Sequence, residues 1–516
     1  MTHTLFRLNR RALLIGAATA ALFTAAPVFA QDTAPSHGGV LNYATLGLDT
    51  SDPHRHTGSI AVQQLYVEAL TSIGADGRIE PFLAENIDVS ADGKTYTFTL
   101  RDGVTFHNGD PLTADAVVAN IERVRTNVTG GWLASAMKLV GAVSATDERT
   151  VVLTMTEPYA PLVALLSELW IVSPASDGWD ATITTPIGTG PFTFGEWKPQ
   201  VSLTAPAFDN YWRGDDLPYL AAVNVNLRED IDKANALRAG DLDIVNVDRD
   251  VARRLAQDPD IRTSTLKDST WYFAAFNNRN PRPPFDNPAV RDAIMTAIDK
   301  TAFMNFLAPA TGVLSNQMVM PGHVYYDDAM GEADAYKNAD VDKAKAMLAD
   351  AGVDPAAITI DLVSWQENYP QVVVQMLRQL GFKVEHSALD DLGAQNRLGQ
   401  YDWDMSVMAS GPRADIFLRF VRLMSDGPNP VLWGGIQDED LDALIKAAVA
   451  ESDEAKRKEL YTKAFQHVLD KDYLMVLGHA PNAIAMREEV QGYEPGFTWS
   501  PNWVSGGIAQ TWLVKD

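Results

Sequence analysis

Regular alternation of apolar and polar residues is clearest in the first quarter of the chain, where residues 96–100 read YTFTL. Every second side chain there is apolar, which predicts a half-buried strand. Val104 and Phe106 predict a second short strand after a turn, and Thr113 is placed to cap a helix that begins at Ala114. The segment contains no nucleophile, metal-ligand cluster or phosphate loop, so it predicts structure and no chemistry.

Similar patterns predict elements elsewhere in the chain. Residues 38–43 and 150–155 predict strands, and residues 401–408 alternate in the same way. Apolar residues recur at helical spacing between 60 and 70 and again between 342 and 351, which predicts two amphipathic helices. The sequence shows no internal repeat and no coiled-coil heptads.

The N-terminal segment is typical of an exported protein. Arg10 and Arg11 precede an apolar run from residue 12 to residue 26, and small or tolerated residues lead up to Ala30. We therefore expect residues 1–30 to be a signal peptide that is cleaved after Ala30. The two adjacent arginines also match a twin-arginine export signal, and an ordinary secretory signal is the alternative.

Composition limits the size and chemistry of the exported protein. The chain has 516 residues, of which 46% are hydrophobic, and no cysteine. The part that follows the signal peptide is too long for one hydrophobic core, so two or three lobes are expected. Without cysteine, disulfides and lipid anchoring through a cysteine are both excluded.

The charge balance is strongly acidic. The formal net charge is −25, and it becomes −28 once the three arginines of residues 1–30 are removed, because that segment has no acidic residue. Such a surface argues against nucleic acid or an anionic membrane as a partner. It mildly favours cationic ligands, although a solvated acidic surface explains the same composition.

Several phrases of the sequence resemble those of one protein family. The segment YTFTLRDGVTFHNGDPLTAD at 96–115 resembles the signature of the family 5 periplasmic solute-binding proteins, the peptide- and nickel-binding components of ABC importers. IGTGPF at 187–192, FDNYW at 208–212, LRAGDLDI at 237–244 and PFDNPAVRDA at 284–293 are similar to further phrases of that family. Their order and spacing agree over nearly the whole exported chain.

This resemblance implies an α/β fold of the type II periplasmic binding protein kind, with two main lobes, hinge strands and a small additional lobe. Two strands, near residues 269–277 and 474–485, would cross between the main lobes and act as the hinge. The implied lobes are 31–57 with 188–268 and 483–516 for lobe I, 58–187 for the additional lobe, and 269–482 for lobe II.

The resemblance also implies a function. The protein would capture a small solute in the periplasm, most simply a di- or oligopeptide, by hinge closure, and deliver it to ABC permease subunits and their ATPase in the inner membrane. We expect no cofactor, and we expect the protein to be a monomer. Opines, oligosaccharides and chelated nickel stay open as ligands, and a periplasmic sensor component is a further alternative.

The loop that follows residues 401–408 carries the strongest candidate for ligand contact. In peptide-binding members of the family an aspartate of this loop pairs with the ammonium group of the ligand, and the resemblance places Asp415 there, with Arg413 beside it. A buried carboxylate and an ammonium form short charge-assisted hydrogen bonds. Ile416 replaces the usual proline, which can retune the site away from peptides, and a simple pair between Arg413 and Asp415 is the alternative interpretation.

Aromatic residues form a second set of candidates. Trp271 and Tyr272 precede a family phrase on the first crossing strand, Trp132 aligns with a tryptophan that lines the site of the nickel branch, and Tyr43 ends the first strand. Large rings bury ligand surface at low entropic cost. A position in the hydrophobic core is the alternative for each of them.

His54 and His56 are weak candidates for a metal site, since two imidazoles in one loop could share an ion. The nickel branch also uses an arginine that residues 159–171 lack, so surface histidines are the simpler interpretation. The sequence has no Gly-x-Ser-x-Gly, His-Glu-x-x-His or Walker motif, which argues against an enzyme.

Overall fold

The structure is a computed structural model that describes residues 34–514 except 46, 56–59, 75–76, 129–132, 135–136, 229, 248, 414, 428–429 and 498–500. The predicted signal peptide, Trp132 and His56 therefore lie outside the described residues.

Strands and helices of very different lengths alternate along the described chain. The strands, numbered in chain order, are β1 (Val40–Ala44), β2 (Glu68–Ala69), β3 (Thr71–Ile73), β4 (Ile79–Pro81), β5 (Ala84–Val89), β6 (Thr95–Leu100), β7 (Val140–Ala145), β8 (Thr150–Met155), β9 (Trp170–Ile171), β10 (Trp197–Lys198), β11 (Ser202–Pro206), β12 (Ala222–Asn226), β13 (Ile244–Val247), β14 (Ile261–Phe276), β15 (Thr359–Trp365), β16 (Lys383–Leu389), β17 (Met405–Ser410), β18 (Leu474–Arg487), β19 (Val490–Gln491), β20 (Asn502–Trp503), β21 (Gly506–Gly507) and β22 (Trp512–Leu513).

The α-helices are α1 (Ile60–Gln63), α2 (Ala114–Asn127), α3 (Leu162–Leu165), α4 (Lys233–Ala239), α5 (Arg249–Leu255), α6 (Pro288–Ala297), α7 (Lys300–Leu307), α8 (Asp328–Glu332), α9 (Val341–Asp350), α10 (Pro370–Leu380), α11 (Asp391–Gly399), α12 (Phe417–Phe420), α13 (Glu439–Ala450) and α14 (Glu454–Asp470). Single 3-10 turns lie at Pro355–Ala357, Pro430–Trp433 and Ile508–Gln510.

A ten-stranded mixed sheet forms the centre of the fold, in the order β10-β11-β12-β1-β13-β18-β14-β17-β15-β16. β1 runs parallel to β12 and β13 on one side, and β15 runs parallel to β16 and β17 on the other. Among the described strands of this sheet, β14 and β18 lie between the two groups of parallel strands. These two strands therefore connect the two halves of the sheet.

β14 and β18 are the longest strands, with 16 and 14 residues, and they pair antiparallel along most of their length. β17 pairs with the C-terminal part of β14, from Trp271 to Phe276, whereas β13 pairs with the C-terminal part of β18, from Ala483 to Met486. Strands are thus present at both places where the sequence predicts a crossing.

A separate four-stranded antiparallel sheet, β5-β6-β8-β7, contains the segment with the clearest alternation. Tyr96, Phe98 and Leu100 of β6 are all buried, as predicted. Thr113 caps α2, because its side chain accepts a hydrogen bond from the Ala116 N–H. The predicted second strand around Phe106 is only a single bridge, although the Phe106 ring is buried.

The glycine-rich turn at 187–192 packs directly against another segment of backbone. A Cβ on Gly188 would lie 1.9 Å from the carbonyl oxygen of Tyr66, and a Cβ on Gly190 would lie 2.8 Å from that of Leu65. Neither glycine has a positive φ. Close approach of two chain segments therefore requires glycine here, and not an unusual backbone angle.

The predicted helix over residues 60–70 is wrong, since the structure has only the short α1 followed by a turn and β2. Val62, Leu65, Tyr66 and Val67 are all completely buried. Helical spacing arises here from burial on every side of an irregular segment, which periodicity cannot distinguish from a helix.

The other two patterns are closer to the structure. The helix predicted at 342–351 is present as α9, with Ala344 and Leu348 buried, and Gly352 follows it with φ +71°. The strand predicted at 401–408 begins only at Met405, after Tyr401, whose φ of +50° ends any extended conformation there.

Candidate functional site

A cavity of about 270 Å³ lies between segments that are far apart in the sequence. Its walls come from the turn around Arg78, from β6, from the segment 160–164, from the loop that begins at Arg413, and from the start of α14. The polar and aromatic side chains that line it are Arg78, Tyr96, His323, Tyr325, Arg413, Asp415, Ser452, Glu454, Arg457 and Phe497. Its volume is near the lower end of the range for small-molecule sites, which is about 300–1,000 Å³.

Asp415 is the carboxylate that this cavity encloses most completely, with 7% of its surface exposed. The Phe417 N–H donates a hydrogen bond of 2.7 Å to Asp415 Oδ1. Burial raises the pKa of Asp415, and the positive charge of Arg457 and the Phe417 hydrogen bond oppose that rise. A cation that approaches from the cavity would therefore stabilise the ionised form of this buried carboxylate.

Arg457 supplies the positive charge next to Asp415. It lies in the first turn of α14, and its guanidinium lies 5.3 Å from the ring centroid of Tyr325 and donates a hydrogen bond to the Tyr325 hydroxyl. Burial disfavours its charged form, but the charge of Asp415 and the contributions of Tyr325 and Tyr461 together outweigh this effect, so the pKa of Arg457 is raised. The two charges therefore stabilise each other across the cavity wall.

Several tyrosines lie near the Asp415 carboxylate. Burial raises the pKa values of Tyr159, Tyr325 and Tyr461, and the negative charge of Asp415 raises them further. Tyr325 and Tyr461 pack edge to face with 5.7 Å between ring centroids. A carboxylate among aromatic rings suits an organic cation, because the rings attract a cation by their quadrupole while excluding water.

Three arginines follow one another along the loop and helix after β17. Arg413 lines the cavity, and its charge lowers the pKa of Glu168, although burial still leaves that pKa raised to about 7. Arg419 is 2% exposed and donates hydrogen bonds to the carbonyl oxygens of Met318, Ser269 and Gly411. Arg422 lies over the ring of Trp433, 5.8 Å from its centroid.

A second, larger cavity of about 520 Å³ lies near the C-terminus of the described chain, beside Arg213 and Trp512. It contains none of the predicted site residues that the structure describes. Its arginine is already engaged, since Arg213 donates hydrogen bonds to Asn502 Oδ1 and to the carbonyl oxygens of Trp503 and Val504. The smaller cavity, where a buried carboxylate faces open space, is therefore the candidate site.

The sequence profile of the bacterial extracellular solute-binding proteins, family 5, matches residues 78–427. This segment is more than half of the chain and includes the Asp415 loop. The chain belongs to that family.

Individual members of the family align along most of the sequence. This family 5 protein is 27% identical over 496 residues to di/tripeptide-binding protein 2 of Pseudomonas aeruginosa (strain UCBPP-PA14), covering 86% of this chain and 90% of that protein. It is also 27% identical over 484 residues to the glutathione-binding protein GsiB of Escherichia coli (strain K12), covering 88% and 90%.

Solved structures of the family confirm the fold. The periplasmic binding protein AgaA of A. tumefaciens, solved in complex with agropinic acid, superimposes with a TM-score of 0.74 at 27% identity and covers 93% of this chain and 99% of that one. The predicted type II periplasmic binding protein fold is thus confirmed. Within the described residues, no helix combines the length and apolar character of a membrane span.

The structure brings only some of the predicted site residues of this family 5 protein to the cavity. Asp415 and Arg413 both line it. Trp271 is fully buried and stacks on Phe273 with 4.4 Å between centroids. Tyr272 packs against Tyr369 on the other face of β14. Ligand contact by the two aromatics stays a prediction.

Tyr43 and His54 are buried outside the cavity lining. Tyr43 is 1% exposed, and burial raises the pKa of its hydroxyl. His54 Nε2 donates to the Trp170 carbonyl oxygen at 2.8 Å, and its Nδ1 lies 2.7 Å from Arg123 Nη1. Both ring nitrogens of His54 are therefore engaged. In the described part of the chain, no group of three or more histidine and acidic side chains is arranged to hold a metal ion.

Sequence reasoning missed several cavity residues of this family 5 protein. Arg457 and Tyr325 lie in segments that carry no family phrase, and Phe497 lies close to the C-terminus. Residues 456–458 are all basic, so no local pattern distinguishes Arg457 as the residue that lies next to a buried carboxylate.

Proposed function

We propose that this family 5 protein is the solute-binding component of an ABC importer and that it captures a di- or tripeptide through the peptide's ammonium group. The observation that carries the proposal is Asp415, a buried carboxylate that faces a cavity of about 270 Å³ among tyrosine rings. The similarity to di/tripeptide- and glutathione-binding proteins supports the same ligand class.

The chemistry of capture follows from the burial of this carboxylate. A peptide ammonium would donate charge-assisted hydrogen bonds to the oxygens of Asp415, and the surrounding rings would exclude water from them. Each such bond contributes about 1.5–3 kcal/mol, which corresponds to roughly 10- to 150-fold in the dissociation constant. Asp415 therefore acts in binding, and the function needs no bond to be broken.

We also propose that the protein is exported to the periplasm after cleavage behind Ala30, and that it closes about its two long strands. β14 and β18 join the two halves of the large sheet, which supports the lobes 31–57 with 188–268 and 483–516, 58–187, and 269–482. The cleavage site is tested by N-terminal sequencing of the exported protein. Closure is tested by small-angle scattering with and without ligand.

The peptide proposal is tested by titration calorimetry on protein that has been unfolded and refolded to remove carried ligand. Ala-Ala, Ala-Ala-Ala and glutathione serve as probes, and each is also used with its amino group acetylated. We expect binding of at least one free peptide, a loss of at least 10-fold on acetylation, and a similar loss in the variant Asp415→Asn.

The control is Asp230→Asn, which removes an exposed carboxylate that pairs with Arg228. This variant is expected to bind the peptides as the unchanged protein does. Binding that is indifferent to acetylation and to Asp415→Asn would refute the role of the ammonium group.

An opine is the second candidate ligand. Agropinic acid is bound by the similar protein AgaA, and Arg413 in the cavity wall suits a ligand with a carboxylate. Tight binding of octopine or nopaline with no response to any peptide would favour this candidate.

A further inference from the structure

One wall of the candidate cavity carries a histidine that still has a hydrogen bond to give. His323 lines the cavity, and its Nδ1 accepts a hydrogen bond of 3.1 Å from the Tyr325 N–H. A ring nitrogen that accepts in this way carries no proton, so the proton of the neutral ring is on Nε2. In the described part of the chain, no group accepts a hydrogen bond from Nε2.

The Nε2 atom of His323 is open to the cavity. Among the described residues, the hydroxyl oxygen of Tyr461 also has no hydrogen-bond partner, but protein atoms enclose it completely, whereas Nε2 keeps accessible surface. Nδ1 faces the backbone of Tyr325, so Nε2 lies on the opposite edge of the ring. Because the ring lines the cavity, a solute that enters the cavity can reach this N–H.

Two aromatic neighbours in the cavity wall fix the orientation of the His323 ring. The ring centroids of Tyr325 and Phe497 lie 5.9 Å and 5.7 Å from that of His323. Tyr325 is also close enough to Asp415 for that carboxylate to raise its pKa. A side chain that packing already holds loses little entropy when it binds a ligand. The Nε2–H is therefore a preorganised donor near the Asp415 carboxylate.

His323 is uncharged at neutral pH. Burial, and then the positive charges of Arg419 and Lys458, lower its pKa to about 3. The ring thus supplies a neutral donor in a cavity whose other polar groups include the carboxylates Asp415 and Glu454 and three guanidinium groups. Such a donor pairs with an uncharged carbonyl oxygen without changing the net charge of the site.

We propose that His323 is a specificity-determining residue whose Nε2–H donates a hydrogen bond to a carbonyl oxygen of the captured solute, which in a peptide is that of the first peptide bond. This inference rests on the proposed function, since it assigns a second contact in the same cavity. The ammonium group and the first carbonyl group of a peptide are attached to the same Cα atom. Asp415 and His323 together recognise this unit, and an amine without the carbonyl group satisfies only Asp415.

The first test compares two ligands that differ in one atom. Dissociation constants are measured by calorimetry on ligand-free protein for Ala-Ala and for its thioamide analogue, in which sulfur replaces the oxygen of the peptide bond. Sulfur is the weaker hydrogen-bond acceptor, so it leaves the donor without a good partner. We expect the analogue to bind about 5-fold or more weakly. Ala-Ala-Ala, with its first peptide bond changed in the same way, takes the place of Ala-Ala if it binds more tightly.

Two variants separate the hydrogen bond from the larger size of sulfur. His323→Phe keeps an aromatic ring next to Tyr325 and Phe497 but has no N–H, so we expect it to lose the preference for oxygen. His323→Gln keeps a neutral donor and should retain more of the preference than His323→Phe does. The control His37→Gln removes an exposed histidine that does not line the cavity, and it should behave as the unchanged protein.

Two results of these titrations overturn the inference. One is equal binding of the oxygen and sulfur ligands by the unchanged protein. The other is that His323→Phe keeps as much of the preference as His323→Gln does. In either case peptide binding itself, and with it the proposed function, still stands.

The second test does not depend on peptide binding. NMR spectra of ligand-free protein labelled with nitrogen-15 in its histidines distinguish a ring protonated on Nε2 from one protonated on Nδ1. The signals that are missing in His323→Phe belong to His323. We expect a neutral ring with the proton on Nε2 at pH 7, and a proton on Nδ1 overturns the inference.

If neither alanine peptide binds, the Nε2–H signal of His323 is followed while glutathione, octopine or nopaline is added. A shift caused by one of these solutes supports the contact. When only an opine causes the shift, the proposed peptide function fails while the contact of His323 stands. An unchanged signal in all three titrations overturns the inference.

Discussion

His479 lies in the middle of β18, where the structure predicts a specific loss of stability in acid. The side chain is completely buried. Its Nε2 donates to the carbonyl oxygen of Gln317 at 2.8 Å, and its Nδ1 accepts from the Ser269 hydroxyl at 3.0 Å. Burial lowers the pKa of His479 to about 3, the Gln317 hydrogen bond opposes this, and the charges of Arg419 and His323 lower it further.

The magnitude follows from the difference between the folded and unfolded pKa values. An unfolded histidine has a pKa of about 6.5 and is protonated at pH 5, whereas folded His479 is still neutral there. Because the unfolded state binds more protons, the free energy of unfolding falls as the pH falls. The contribution of His479 is complete above pH 7 and decreases by about 2 kcal/mol between pH 8 and pH 5.

The assay is urea unfolding of the unchanged protein and of His479→Gln at pH 8, 7, 6 and 5. Buried His323 and His107, with pKa values lowered to about 3 and about 4, act in the same direction in both proteins and cancel in the comparison. We expect the variant to be less stable at pH 8, but to lose about 2 kcal/mol less than the unchanged protein on the way to pH 5.

The exposed His37 provides the control, since His37→Gln removes a histidine without removing a buried one. Identical pH dependence of His479→Gln and the unchanged protein would refute the reasoning, because it would mean that His479 binds its proton equally in both states.

Two further predictions concern buried contacts away from the cavity. The Arg123 guanidinium is 1% exposed and lies 2.6 Å from the Asp52 carboxylate, so Asp52→Asn leaves it buried without its counter-charge. Urea unfolding of this variant should show a loss of about 3–5 kcal/mol in the free energy of unfolding. The control Asp230→Asn, at an exposed pair, should leave the unfolding midpoint unchanged. Gly188→Ala forces a Cβ to within 1.9 Å of a backbone oxygen and should cost about 1–3 kcal/mol in the same assay, whereas Gly399→Ala, with open space around it, should cost nothing.

Local patterns predicted the parts of the fold that depend on local forces. The alternation at 96–100 and the cap at Thr113 are both decided within a few residues, and both are confirmed. The helix prediction for 60–70 was wrong for the opposite reason, because the conformation there depends on hydrogen bonds between Glu68 and residues far away in the sequence. Glu68 accepts hydrogen bonds from Thr189, Tyr211 and Asn502, and none of these lies near it in the sequence.

The candidate site was predictable to the same limited extent. Asp415 and Arg413 were found because one loop of the family carries them, and the structure places both at the cavity. Arg457 and Tyr325 come from other segments and meet Asp415 only through tertiary packing. Their contribution is electrostatic and depends on distance in space, which a single sequence does not encode in any local pattern.

Net charge is a poor basis for predicting which ligand a cavity favours, and the reason is screening. The sequence has a charge of −25, which by itself favours cations. At physiological ionic strength, however, charges farther apart than about 8 Å hardly act on one another through water. Inside the cavity the dielectric is lower, and the charged side chains that line it are the carboxylates Asp415 and Glu454 and the guanidinium groups of Arg78, Arg413 and Arg457. The sign of the charge that the cavity favours therefore depends on these few side chains more than on the net charge of the chain.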